Sequence, residues 1–149
     1  MVVKGDFLMK GYWKLPAVTE QTIKGGYLYT GDMGEIDEEG FIYLSGRKKD
    51  VITTGGNVVF PREVEEVLYT HPAVREVAVV GTPDEGLGEA VVAFVILKPG
   101  QQVTAEEMVE FCRRSVAEYA VPRSVVFVPE LPRNPTGKVL KRELKEKYG

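Results

Sequence analysis

Pro61-Arg-Glu-Val-Glu-Glu-Val-Leu-Tyr-Thr-His-Pro72, followed by Val77-Ala-Val-Val80 and Val91-Val-Ala-Phe-Val-Ile-Leu97, sets the architecture of this chain. Pro61 can open a helix because an N–H in the first turn has no intrahelical partner to lose, and Val64, Val67 and Leu68 then recur at helical spacing until Pro72. Val77–Val80 and Val91–Leu97 are unbroken apolar runs of strand length, the pattern of strands covered on both faces, and the polar stretch Gly81–Glu89 between them is predicted as a loop. Downstream, Thr104-Ala-Glu-Glu107 has the form of a capping box. Met108, Cys112, Val116 and Tyr119 predict the buried stripe of a helix that ends before Pro122. Val125–Val128 reads as one more strand and Lys138–Tyr148 as a closing helix. The sum is an α+β unit of about 100 residues, a short sheet flanked by helices.

Working backwards, the pattern is β. Phe7-Leu-Met9 and Tyr27-Leu-Tyr29 are bulky apolar runs, and Gly34–Asp37, the turn Glu38-Glu-Gly40 and Phe41–Leu44 form a predicted hairpin. Residues 1 to 46 carry four Lys/Arg and seven Asp/Glu, whereas the rest carries fifteen of each. The charged turn Ser45-Gly-Arg47-Lys48-Lys49-Asp50 marks the change, so residues 1–48 and 49–149 are predicted as separate units. Tyr12, Trp13, Tyr27, Tyr29, Phe41 and Tyr43 crowd a first unit too short to enclose them. It reads as the edge of something larger.

Composition narrows the function classes. The chain has 149 residues, 44% hydrophobic and 28% charged, which suits a packed core and neither a fibrous repeat nor wholesale disorder. The net charge of −3 argues against a nucleic-acid binder. The longest apolar run, Ala90–Leu97, is too short to span a bilayer, and the first residues lack the form of a signal peptide. Cys112 is the single cysteine and reads as a buried core thiol, which fits a reducing compartment; a soluble, cytoplasmic protein is expected. His71, the single histidine, sits at a predicted helix exit and leaves little room for histidine catalysis. Gly81–Gly88 lacks the GxGxxG spacing, and Thr136-Gly137-Lys138 lacks the glycine and the Ser/Thr that a P-loop needs.

Three stretches call for more than packing. In Tyr29-Thr-Gly-Asp32 a carboxylate follows a glycine at a strand end, where its oxygens can accept both hydroxyls of a ribose. Gly46-Arg47-Lys48-Lys49-Asp50 is a run of cations at the boundary. Leu131-Pro-Arg-Asn-Pro-Thr-Gly-Lys138 is a proline-rich loop that ends in a lysine at a glycine turn. Singly, these read as a turn acceptor, a solvated linker and a solvent-exposed lysine. Their joint order carries more. Gly11-Tyr-Trp, Tyr27–Asp32, Gly40–Asp50, Pro61–Glu65, Val79-Val-Gly81 and Pro132–Lys138 closely resemble, in sequence order, the carboxyl-terminal end of the adenylate-forming enzymes. That superfamily includes acyl-CoA synthetases, luciferases and peptide-synthetase adenylation domains.

The resemblance implies a fold, roles and ligands. The fold is the small C-terminal domain of the adenylate-forming enzymes, mobile as a lid, preceded by a β-rich remnant of the large N-terminal domain. Asp32 matches the carboxylate that holds the ribose hydroxyls of ATP, and Arg47 the residue at the ribose and phosphates. Lys138 matches the catalytic lysine that reaches the substrate carboxylate and the α-phosphate. Lys49 matches the hinge about which the small domain turns between adenylation and thioester formation, and Gly55-Gly56 the segment lining the pantetheine tunnel of CoA. The implied activity is that of an acid:CoA ligase for a fatty or aryl acid, using ATP, CoA and Mg2+, with the magnesium held mainly by the large domain. Val58 and Ala120 stand where the family often has polar residues, which bears on the CoA contacts and not on Lys138.

The matching stretches correspond to roughly the last quarter of the family. A large N-terminal domain is therefore the expected partner, with the chain inactive alone and its first 45 residues mobile or self-associating through open strand edges. Two alternatives use the same residues differently: a ligase that loads a carrier-protein thiol, and a non-catalytic interaction module.

Overall fold

The computed structural model describes residues 1–148, which divide into two units, Met1–Lys49 and a second that begins at Asp50. In the first, β1 (Val2–Val3) and β2 (Ile23–Lys24) flank β3 (Tyr27–Tyr29) in a small antiparallel sheet, with the short helix α1 (Pro16–Thr22) before β2. A separate hairpin follows, β4 (Asp32–Ile36) with β5 (Ile42–Arg47), in which Asp32 is opposite Arg47 and Ile36 opposite Ile42. Asp37 builds its turn: Oδ1 accepts the N–H groups of Glu39 and Phe41 at 3.0 and 2.8 Å. None of the residues 1–49 is buried. Trp13 is 86% exposed and Phe7 77%, so this unit has no hydrophobic core of its own.

The second unit is layered. After a 3-10 turn over Lys48–Asp50 come β6 (Ile52–Thr54), β7 (Asn57–Val59) and α2 (Pro61–Tyr69). Then come the long strands β8 (Val74–Asp84) and β9 (Gly88–Leu97), the helix α3 (Ala105–Arg113), β10 (Ser124–Phe127) and α4 (Lys141–Tyr148). β9 is the spine: β8 runs antiparallel along it, β10 pairs in parallel, and Thr54 of β6 bridges to Gly88.

Alternation along the strands sorts the apolar side chains into two cores. Val77, Val79, Val91, Ala93 and Val95 face Val64 and Leu68 of α2 and Met108 and Cys112 of α3. Ala78, Val80, Val92, Phe94 and Ile96 face the other way, toward Val128, Leu131 and Leu144 of α4. Both faces of the sheet are covered, which is why these strands read as unbroken apolar runs. Burial without any charged partner pushes the Cys112 thiol up to about 11, so it stays protonated at neutral pH.

The capping box forms. Thr104 Oγ1 accepts the Glu107 N–H at 3.1 Å, and Glu107 Oε2 accepts the Thr104 N–H at 2.7 Å. Thr104→Ala is expected to lower stability by about 1 kcal/mol in urea titration, and an unchanged midpoint would show that the box contributes nothing.

Four sequence expectations are corrected. The predicted loop Gly81–Glu89 is mostly strand, and only Glu85–Leu87 turn the hairpin; Pro83 is tolerated because β8 lies at the sheet edge, where its missing N–H breaks no ladder. Phe7–Met9 form no strand, since Leu8 N–H closes a turn onto Gly5 O at 3.2 Å. The helix after Thr104 stops at Arg113, so Tyr119 falls in a 3-10 turn over Glu118–Ala120 and is half exposed, while Ala120 is buried in its place. The closing helix begins at Lys141, because Val139 is still bridged to Arg133 across a hairpin.

Candidate functional site

Asp32 and Arg47 come together within the first unit. Their strands pair them directly, and Arg47 Nε lies 3.2 Å from Asp32 Oδ1. The ends of the ribbon are tied by the Lys48 N–H to Gly31 O bond at 2.8 Å and by the Asp32 N–H to Thr30 Oγ1 bond at 3.0 Å. With side chains 25% and 51% exposed, the pair stays open to a ligand and contributes at most about 1 kcal/mol to stability. Lys49 lies in the turn just after it, exposed, at the division between the units.

Lys138 sits at the end of a self-braced hairpin in the second unit. Asn134 Oδ1 accepts three bonds, from Thr136 N–H at 3.1 Å, Thr136 Oγ1 at 2.8 Å and Lys138 N–H at 2.8 Å. The Asn134 N–H in turn donates to Lys138 O at 2.9 Å. Gly137 has φ of +85°, a left-handed position at which an L side chain is strained. The backbone of Lys138 is therefore set, while its exposed ammonium makes no hydrogen bond or ion pair among the described residues. Asn134 is a functional neighbour that the sequence reading passed over, although Asn followed three residues later by Gly is a turn signature.

Gly55 and Gly56 are the central residues of the tight β6–β7 hairpin, with φ of +54° and +81°. A two-residue hairpin turn with positive φ at both positions needs glycines there for purely conformational reasons. The turn also forms one wall of a cleft of about 730 Å³, lined by Thr54, Asn57, Leu87, Arg113 and Arg123 among others. Both arginines are engaged, Arg123 with Asp84 at 2.6 Å and Arg113 with Glu118 at 3.2 Å. Asp84 also accepts the N–H groups of Gly86 and Leu87 at 3.0 Å, and these bonds hold its carboxyl below the ordinary range.

Helix α4 is fastened to α2 and to the sheet by two lysines. Lys141 Nζ meets Glu65 Oε1 at 2.6 Å, and the same oxygen accepts the outward Val79 N–H of edge strand β8 at 2.8 Å. Lys145 Nζ meets Glu89 at 3.2 Å, and Glu89 also accepts the Thr53 N–H at 2.8 Å. Among the described residues no cluster of three or more His, Cys, Asp or Glu could hold a metal, so the residues present do not fit a magnesium site. No helix is long and apolar enough to cross a membrane.

Fold and site together define a small α+β domain that presents, among the described residues, an unpaired lysine ammonium on a braced hairpin, preceded by a coreless β unit with a carboxylate–guanidinium pair. The chain belongs to the family described as the AMP-binding enzyme C-terminal domain, whose model matches residues 63–138.

Its relatives are longer. A long-chain-fatty-acid–CoA ligase of Bacillus subtilis is 49% identical over 146 residues, which are 98% of this chain and 26% of the relative. The solved o-succinylbenzoate CoA synthetase of Bacillus subtilis, in complex with its acyl-adenylate intermediate, is 38% identical with a TM-score of 0.91, over 97% of this chain and 29% of its own. MatB from Rhodopseudomonas palustris aligns with a TM-score of 0.90 when ATP bound, at 38% identity, and 0.72 when apo, at 39%, each over 97% of this chain and 29% of its own. The present chain spans under a third of the length of these relatives.

Proposed function

We propose that this chain serves as the carboxyl-terminal part of an AMP-forming acid:CoA ligase, and that Lys138 supplies the cation for its first half-reaction. The observation that carries the reading is the unpaired Lys138 ammonium on a backbone fixed by Asn134 and Gly137. In that half-reaction a carboxylate oxygen attacks the α-phosphorus of ATP, and the bond to pyrophosphate breaks. Negative charge gathers on the oxygens around phosphorus, where a positioned ammonium lowers the barrier. CoA thiol then attacks the acyl carbon and AMP leaves.

The other residues take supporting roles. Asp32 accepts the ribose hydroxyls, and Arg47, already in contact with it, meets the ribose and the phosphates. Lys49 is the hinge between the half-reactions; its exposed place in the turn at the division between the units supports this. Gly55-Gly56 and the cleft beside them give pantetheine a wall without side chains. Magnesium, where the reaction uses it, is held outside the described residues.

The bare surface of Met1–Lys49 fits a unit covered by a further domain, and self-association of the 149-residue chain is the consequence where that cover is lacking. The names of the two CoA ligases support a fatty or aryl acid as substrate, and the protonated lone thiol of Cys112 suits a reducing cytoplasm. A carrier-protein thiol as final acceptor would use the same Asp32, Arg47 and Lys138. The acceptor test supplies the ligase that carries this chain with ATP, magnesium, a panel of fatty and aryl acids, and either CoA or a phosphopantetheinyl carrier protein. Acyl-CoA is the expected product; acylation of the carrier alone would overturn the assignment.

A further inference from the structure

We propose that Arg133 and Glu76 act as positioning residues for Lys138, tying the tip of its hairpin to the sheet; this rests on the adenylation role given to Lys138 above. The bonds to Asn134 define the shape of the hairpin but not its direction, since each of them begins and ends within residues 134–138. Direction comes from a guanidinium. Arg133 Nη1 donates to Gly137 O at 2.5 Å, the carbonyl of the peptide that leads into Lys138, while Nη2 donates to the carboxylate of Glu76 on β8. Among the described residues this is the side-chain hydrogen bond that joins residues 133–139 to the sheet.

Both partners are suited to the task. The planar fork of arginine reaches two acceptors at fixed separation, which the single ammonium of a lysine cannot copy. Glu76 lies beside the register shift of β8, on a strand whose paired length runs from Val74 to Asp84, so its anchor is rigid. Arg75 Nη2 steadies the same carboxylate from the side at 3.3 Å. The hydrogen bond from Arg133, helped by Arg75, holds the Glu76 carboxyl below its ordinary value, so the clamp is fully ionised at neutral pH. The partners stand 57 residues apart in sequence, and the same guanidinium reaches the carbonyl next to Lys138, so they act through the place they give to that residue.

The test uses the ligase that carries this chain, with Arg133→Lys, Glu76→Gln and the double variant, and with Lys138→Ala as reference. Pyrophosphate release is expected to fall in kcat by roughly tenfold to a hundredfold in each single variant, the cost of a small misplacement of a reacting group. KM for ATP and for the acid stays within about twofold, because binding groups are untouched. The double variant is no worse than the poorer single one, since the Glu76 change acts on a link that the Arg133 change already disrupts. Thioester formation from added acyl-adenylate stays near normal.

Adenylation kept within about twofold while Lys138→Ala is impaired would overturn the clamp and leave the lysine in place. Loss of both half-reactions together with a lowered unfolding midpoint would overturn it in favour of a plain structural role. Normal adenylation in Lys138→Ala would remove the reading on which the clamp rests. Amide exchange at Lys138 in the 149-residue chain gives a readout without turnover: Glu76→Gln, which keeps the shape of the side chain, is expected to speed it, and unchanged exchange would contradict the clamp.

Discussion

Lys138→Ala is expected to lower ATP-dependent pyrophosphate release by roughly 10² to 10³-fold, with KM for ATP and acid little changed. The ammonium has no hydrogen-bond or ion-pair partner among the described residues to give up before it reaches the substrates, so its interaction energy is expected to go to the charge that develops at the α-phosphorus. An interaction made mainly in the transition state appears in kcat and not in KM. The same absence of contacts makes the substitution structurally quiet. Asn134 binds the Lys138 backbone and not its side chain, so hairpin and sheet persist and the unfolding midpoint should not move. A variant with a normal midpoint and near-normal pyrophosphate release would defeat the assignment.

The second large effect is expected at the proposed hinge. Lys49→Pro should leave pyrophosphate release near normal and lower thioester formation by roughly two orders of magnitude, because the acceptor thiol no longer meets its reaction geometry. Lys49 lies within a single 3-10 turn at the division between the units, where a change of a few dihedral angles can swing one body against another. Proline fixes its own φ near −65° and drives Lys48 toward extended angles, which removes that freedom. Separate assay of the two half-reactions checks this, and equal loss of both would speak for damage to the fold.

Much of the second unit could be read from local pattern. The apolar runs at Val77–Val80 and Val91–Leu97 signalled a sheet covered on both faces, and odd and even residues do divide between two cores. Pro61 and the Thr104–Glu107 box marked real helix starts. Local pattern failed where tertiary pairing decides. Gly81, Thr82 and Pro83 look like a loop but are strand because β9 lies alongside, and Lys138 looks like a helix start but belongs to a hairpin closed by Arg133 and Val139. Phe7–Met9 had the composition of a strand and found no partner.

The geometry of the candidate site was legible in part. Motif order pointed to Asp32, Arg47 and Lys138, and pairing across one hairpin brings the first two into contact. The links from Arg133 to Glu76 and from Arg123 to Asp84 join residues 57 and 39 positions apart, and no periodicity or motif announces such a pair. Asn134 could have been found, since its side chain stands at the first position of a turn that ends in glycine.

The central claim is that this chain lends a lysine to a site whose phosphate and acyl pockets are built by another domain. Its most direct test is pyrophosphate release by the purified 149-residue chain, given ATP, magnesium and a panel of short, long and aromatic acids, with and without CoA. The expected result is no release from well-folded protein. Release that disappears in Lys138→Ala would contradict the claim, because these residues would then hold a complete adenylation site by themselves.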